Sequence, residues 1–134
     1  MSAAGLKTAY HNHDFDFIPQ DGTQGYDIVM QRTDPALVKL QLDLYWVAHS
    51  SPRSPHELFS LQPGRFVMWH IKDMDRKTRD YTELGNGSID YSKILSQAKL
   101  AGLEEFFVEQ GGNFALDPMK SIATSAAYVK RHLK

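Results

Sequence analysis

The sequence predicts an α/β fold of four parallel strands, each followed by a helix, and three observations predict it. Four short apolar-leaning runs alternate with segments that carry helix start and stop signals. No tight hairpin turn joins one run to the next, and every run carries a titratable residue at or next to its end. Strand–helix alternation without hairpins argues for parallel strands joined by right-handed crossovers.

The first run, residues 6–13, is Leu6-Lys7-Thr8-Ala9-Tyr10-His11-Asn12-His13, apolar-leaning and then abruptly polar. A loop is expected over 14–24, where Pro19 and Asp21-Gly22 supply turn chemistry. A short helix over 26–32 stops at Asp34-Pro35, because the residue before proline avoids the α region. The second run, Val38–Asp43, alternates apolar and polar residues as a strand does. Ser54-Pro55 opens a helix to Leu61, with proline at the first helical position where its missing N–H is harmless, and Pro63-Gly64 ends it. The third strand, 66–71, is apolar until His70. Residues 72–86 make a long charged loop, of the length that functional loops have. Asp90 caps a helix over 91–101, which Gly102 terminates. The fourth strand is 106–109, and Asp117-Pro118 starts a last helix to Leu133.

At 134 residues, with 42% hydrophobic and 23% charged residues, the chain is long enough to bury a core and is read as one domain, 1–134. A net charge of −1 gives no electrostatic reason to expect nucleic acid or a membrane surface as a partner. No apolar run approaches the ~20 residues of a membrane span, and the first residues lack a basic flank before an apolar stretch, so a cytoplasmic location is the expectation. Cysteine is absent, which leaves histidine and carboxylate as the metal ligands on offer.

The strand ends carry the chemistry. They read His11-Asn12-His13, Asp43, His70 and Glu109. In a parallel α/β sheet, and above all in a barrel, those ends converge on one face where ligands bind. Two or more imidazoles and two carboxylates there suit a divalent ion such as Mn²⁺, Zn²⁺, Co²⁺ or Mg²⁺. Singly, each has an ordinary explanation. An aspartate at a strand end commonly caps or turns, and scattered histidines such as His49, His56 and His132 are read as surface or core residues. Four consecutive strands ending this way is what favours a site.

Several runs in one order resemble the xylose-isomerase-like barrel superfamily, in the branch termed sugar phosphate isomerase/epimerase. They are Tyr10-His11-Asn12-His13-Asp14-Phe15-Asp16-Phe17, Gln41-Leu42-Asp43-Leu44-Tyr45-Trp46-Val47 and Pro63-Gly64-Arg65-Phe66. Trp69-His70-Ile71-Lys72-Asp73-Met74-Asp75, Gly85-Asn86-Gly87-Ser88-Ile89-Asp90 and Phe107-Val108-Glu109-Gln110 continue them. The resemblance implies a (β/α)-barrel type of fold, with four consecutive strand–helix units equivalent to the last four of a TIM barrel. It implies a metal held by Glu, Asp, His and Glu from those strands, of which Asp43, His70 and Glu109 match. The first glutamate is replaced by His11, with His13 two residues on and facing the same side. An Ala-Gly-x-Asp-Pro stretch usual in the family is here Ala48-His49-Ser50-Ser51-Pro52-Arg53.

The implied activity is that of a divalent-metal-dependent sugar or sugar phosphate isomerase or epimerase. Such an enzyme moves a proton beside a carbonyl through a metal-stabilised enediolate. Glu109 is then a base, His13 a second ligand or proton carrier, and Lys72 a group that binds a substrate oxygen or protonates an enolate, with a solvated salt bridge to Asp73 or Asp75 as its equal alternative. With histidine in place of one glutamate, a keto-sugar dehydratase or lyase suits the same site, and so does a non-catalytic half-barrel subunit. Trp46 is expected to stack on a sugar and Trp69 to face the helices. DNA repair of the endonuclease IV type, which shares the superfamily, is disfavoured by Trp46 standing where such enzymes place a histidine. A full barrel needs eight strands and ~250 residues. Four units leave sheet edges unpaired, so a homodimer or a companion chain completing the barrel is expected, covering an open face that includes Leu42, Met68 and Phe107.

Overall fold

The computed structural model describes residues 5–133 and places four strands in one parallel sheet: β1 (Thr8–His11), β2 (Val38–Asp43), β3 (Met68–Ile71) and β6 (Glu105–Val108), in that spatial order. Register is direct: His11 lies beside Gln41, Asp43 beside His70, and His70 beside Phe107. Helices α1 (Gly25–Arg32), α2 (Leu44–Ser50), α3 (Pro55–Leu61), α4 (Tyr91–Leu95), α5 (Ala98–Ala101) and α6 (Pro118–His132) connect and follow the strands. None of the helices among the described residues is long and apolar enough to cross a membrane.

The side-chain period of two decides which residues meet the helices. Leu40, Leu42, Trp69 and Ile71 are buried in one cluster with Tyr26, Leu58, Phe59 and Tyr91, and Phe106 and Val108 pack against it. Trp69 stacks on Phe59 of α3 with ring centroids 5.3 Å apart, so it faces the helix layer as expected. Leu42 does too, which corrects its assignment to the open face: it is paired with Trp69, and its neighbour Asp43 takes the opposite side. Met68 and Phe107 do lie on the open side, half-buried and exposed.

Arg65 staples the N-terminal ends of the strands. Although only 2% exposed, it has no carboxylate partner among the described residues; its guanidinium donates to the carbonyls of Val38, Met30 and Thr33 and to the side chains of Gln62 and Thr33. Such a buried cation is tolerable because its N–H groups are hydrogen-bonded. At the same end the long side chains of Lys7, next to β1, and Glu104, next to β6, reach across the sheet and pair at 3.0 Å.

Three departures from the sequence reading have local causes. Helix α2 follows β2 without a loop, because Asp43 is both the last strand residue and the N-cap, accepting from the N–H groups of Tyr45 and Trp46. The expected helix over 91–101 is broken between α4 and α5, where Ser96 donates its hydroxyl to the Lys93 carbonyl and competes with the helical ladder. The charged loop contains an antiparallel hairpin, β4 (Asp73–Met74) with β5 (Tyr81–Thr82), that the sequence did not signal. Its strands are too short to alternate, and its tip turns on Asp75, which accepts from the N–H groups of Lys77 and Thr78. Beneath it the buried Asp73 carboxylate accepts from four backbone N–H groups, those of Met74, Gly85, Gly87 and Ile89.

Candidate functional site

The C-terminal strand ends bring His11, Asp43 and His70 together, with one potential ligand atom of each lying within 4.8 Å of the others. His11 and His70 have ring centroids 4.5 Å apart, and His11 Nε2 is 3.7 Å from Asp43 Oδ2. The placement follows from register: β2 lies between β1 and β3, so its terminal Asp43 sits between the two imidazoles.

Asp43 is fully buried, and its two oxygens have separate duties. Oδ1 caps α2, accepting from the N–H groups of Tyr45 at 3.0 Å and Trp46 at 3.1 Å. Oδ2 faces the cluster and is 2.7 Å from the Lys72 ammonium. Lys72 Nζ is also 2.7 Å from Glu109 Oε2, the oxygen that accepts from His70 Nδ1 at 2.9 Å. Glu109 thus stands on the outer side of His70, beyond the three-residue cluster, with its side chain half exposed. His13 is exposed and sits edge-on to His11 with centroids 4.8 Å apart. Every residue singled out at the strand ends therefore lies at one locus, whereas His56 and His132 are elsewhere, bonded to Gln97 and packed on Tyr128.

Burial is the largest influence on the His11 imidazole and lowers its pKa below 6.5; Asp43 opposes this, while His70, His13 and Lys72 reinforce it. Burial alone would depress the Lys72 ammonium, but Asp43 and then Glu109 more than offset it, leaving it raised. In Glu109 burial pulls upward and is outweighed by Lys72 and His70, so the carboxyl is held below its ordinary value. The His11 shift has a measurable consequence. Above pH 6.5 the imidazole is neutral in both the folded and unfolded chain; below it, the unfolded chain takes the proton first and stability falls. The urea midpoint is expected to drop between pH 7 and about pH 5.5, and to drop less in His11→Gln.

The sequence reading missed the residues that position this set. Asn12 is buried and binds the backbone of Asp43 in both directions: its Oδ1 accepts from the Asp43 N–H at 2.9 Å, and its Nδ2 donates to the Asp43 carbonyl at 3.3 Å. An amide between two histidines was the available signal. Asn12→Ala is expected to lower stability by roughly 2 kcal/mol in urea unfolding, because it orphans buried backbone groups. Tyr91 does the same for Lys72, whose N–H it accepts at 2.9 Å and whose carbonyl it donates to at 2.5 Å. Around the mouth stand aromatic rings: Trp46 is 6.2 Å from both His13 and Tyr81, and Tyr45 is 4.6 Å from Tyr81.

No protein-family model and no curated protein matches the chain. Solved structures do. A sugar phosphate isomerase/epimerase from Parabacteroides distasonis ATCC 8503 superposes with a TM-score of 0.80 at 27% identity, over 96% of this chain and 46% of that one. A second structure so named, from the same organism, gives 0.74 at 26% identity, over 97% and 48%. The chain thus spans about half the length of these neighbours. Over almost all its described length it is built like one half of a sugar phosphate isomerase/epimerase barrel of the xylose-isomerase-like kind.

Proposed function

We propose that this chain supplies the metal-binding half of a sugar or sugar phosphate isomerase or epimerase, an enzyme that moves a proton on a carbon beside a carbonyl. The observation that carries the reading is the cluster of His11, Asp43 and His70 at three adjacent strand ends. These residues fit a divalent ion. Two imidazoles with one carboxylate suit Mn²⁺, Co²⁺ or Zn²⁺ better than the all-oxygen shell that Mg²⁺ prefers. The lowered His11 value keeps that imidazole neutral and ready to ligate near pH 7. Its buried Nδ1 has no hydrogen-bond partner among the described residues. A bound ion would polarise the carbonyl and stabilise negative charge on its oxygen.

The remaining groups have roles in this reading. Glu109 fixes the His70 ring through Nδ1, as carboxylates do for ligating histidines. Being half exposed and held as a carboxylate, Glu109 is also the base that reaches the substrate carbon; its Oε2 is taken by His70 and Lys72, which leaves Oε1 for an ion as a fourth ligand. His13 stands on the opposite, exposed side as the second proton carrier. The Lys72 ammonium supplies positive charge for a substrate oxygen. Trp46 and Tyr81 make the apolar wall against which a sugar face lies. A further half, from a second copy or a companion polypeptide, closes the barrel over the exposed Phe107.

Proton exchange tests the reading directly. The chain is incubated with Mn²⁺ and a panel of ketoses, aldoses and their phosphates in deuterated water, and the carbon beside the carbonyl is followed by NMR. Deuterium should enter at that carbon for at least one sugar. No incorporation into any of them, in a sample that sedimentation shows to have closed the barrel with its second half, overturns the assignment.

A further inference from the structure

We propose that Lys72 is an internal cation that holds Asp43 and Glu109 paired in the metal-free chain, and that a divalent ion binds only by displacing it from Asp43. Lys72 then sets the metal affinity of the site. The inference rests on the metal reading above.

Asp43 has one oxygen to give. Oδ1 is committed to the two N–H groups of α2, so an ion ligated by this residue must use Oδ2. That oxygen already holds the Lys72 ammonium at 2.7 Å. A metal ligand distance of about 2.1 Å on the same oxygen would leave two cations less than about 5 Å apart in a buried setting, where their repulsion is poorly screened. One of them has to leave. In the metal-free chain the lysine is needed, because Asp43 is fully buried and an ionised carboxylate there requires a counter-charge.

The structure also gives the lysine somewhere to go. Its backbone is clamped on both sides by the Tyr91 hydroxyl, so the change is confined to the flexible side chain. Its second carboxylate, Glu109, is half exposed and can follow it outward. The Tyr81 ring, whose centroid is 5.9 Å from the ammonium, lies on the way and accepts a cation on its face. The ammonium remains charged throughout and moves toward the open side, where a substrate oxygen would meet it.

Calorimetric titration with MnCl₂ tests this on the wild-type chain and on Lys72→Met. The variant should bind Mn²⁺ about tenfold or more tightly, since no buried ammonium–carboxylate ion pair has to be given up. Without metal it should melt below the wild type, and saturating Mn²⁺ should close the gap. A second measurement does not depend on the variant folding. In wild-type chain with ¹⁵N-labelled lysine, one protected ammonium signal should be lost on titration with ZnCl₂, with the same midpoint as the heat of ZnCl₂ binding measured in parallel. Equal or weaker Mn²⁺ binding by Lys72→Met, or an ammonium signal unchanged at saturating Zn²⁺, overturns the displacement while leaving the metal site intact. If neither protein takes up an ion, the metal reading fails and the displacement fails with it.

Discussion

Replacing Asp43 by alanine is expected to cost about 3–5 kcal/mol of folding stability, the usual loss when one member of a buried ion pair is removed. Two separate losses combine. The Lys72 side chain, only 6% exposed, is left with a single carboxylate that is itself half in water. The first turn of α2 also loses the acceptor for two of its N–H groups. Asp43→Asn separates these contributions, since its amide oxygen still caps the helix; it should recover about 1 kcal/mol of the loss. Urea unfolding of the metal-free proteins measures both. An Asp43→Ala variant within 1 kcal/mol of wild type would mean that the ion pair and cap contribute little (about the median for an exposed pair).

Removing an imidazole should have the opposite profile, with a large effect on metal uptake and a small one on the fold. His11→Ala is expected to weaken Mn²⁺ binding by more than the roughly 100-fold upper end of outer-sphere changes. Stability should hardly change, because the half-buried His11 ring has no hydrogen bond on Nδ1 among the described residues. His70→Ala should behave alike. Glu109→Gln should weaken binding by about 10–100-fold if the carboxylate acts through His70 Nδ1. Equilibrium dialysis with metal analysis distinguishes these, and a His11→Ala protein that retains wild-type affinity would remove His11 from the ligand set.

The architecture was readable because alternation and turn residues speak locally. Val38–Asp43 has the strand period, Ser54-Pro55 and Asp117-Pro118 begin helices where such pairs should, and Gly102 takes the left-handed conformation that ends α5. The strand-end residues were readable because parallel topology makes positions far apart in sequence into neighbours. What escaped notice depended on partners distant along the chain. The histidines on either side of Asn12 single it out, but they do not say that its amide will bind the backbone 31 residues away, and the neighbours of Tyr91 do not reveal that it will hold Lys72. Leu42 was misplaced for a smaller reason: choosing a face for a strand by hydrophobicity alone fails when both faces are partly buried. The helix after Asp43 was missed because one carboxylate serves as strand terminus and cap at once.

The carboxylate of Asp73 has a consequence for how this protein tolerates change. By gathering the N–H groups of Gly85, Gly87 and Ile89, it ties off the base of the hairpin that follows Lys72. Residues at the tip, 76–80, lie exposed beyond that knot. Insertions or deletions there alter the rim, where Arg79 meets Tyr45 and His49, yet they meet the fixed base before they reach the lysine. Since lengthening a loop costs little chain entropy, the tip can change in length and composition without redesign of the centre beneath it.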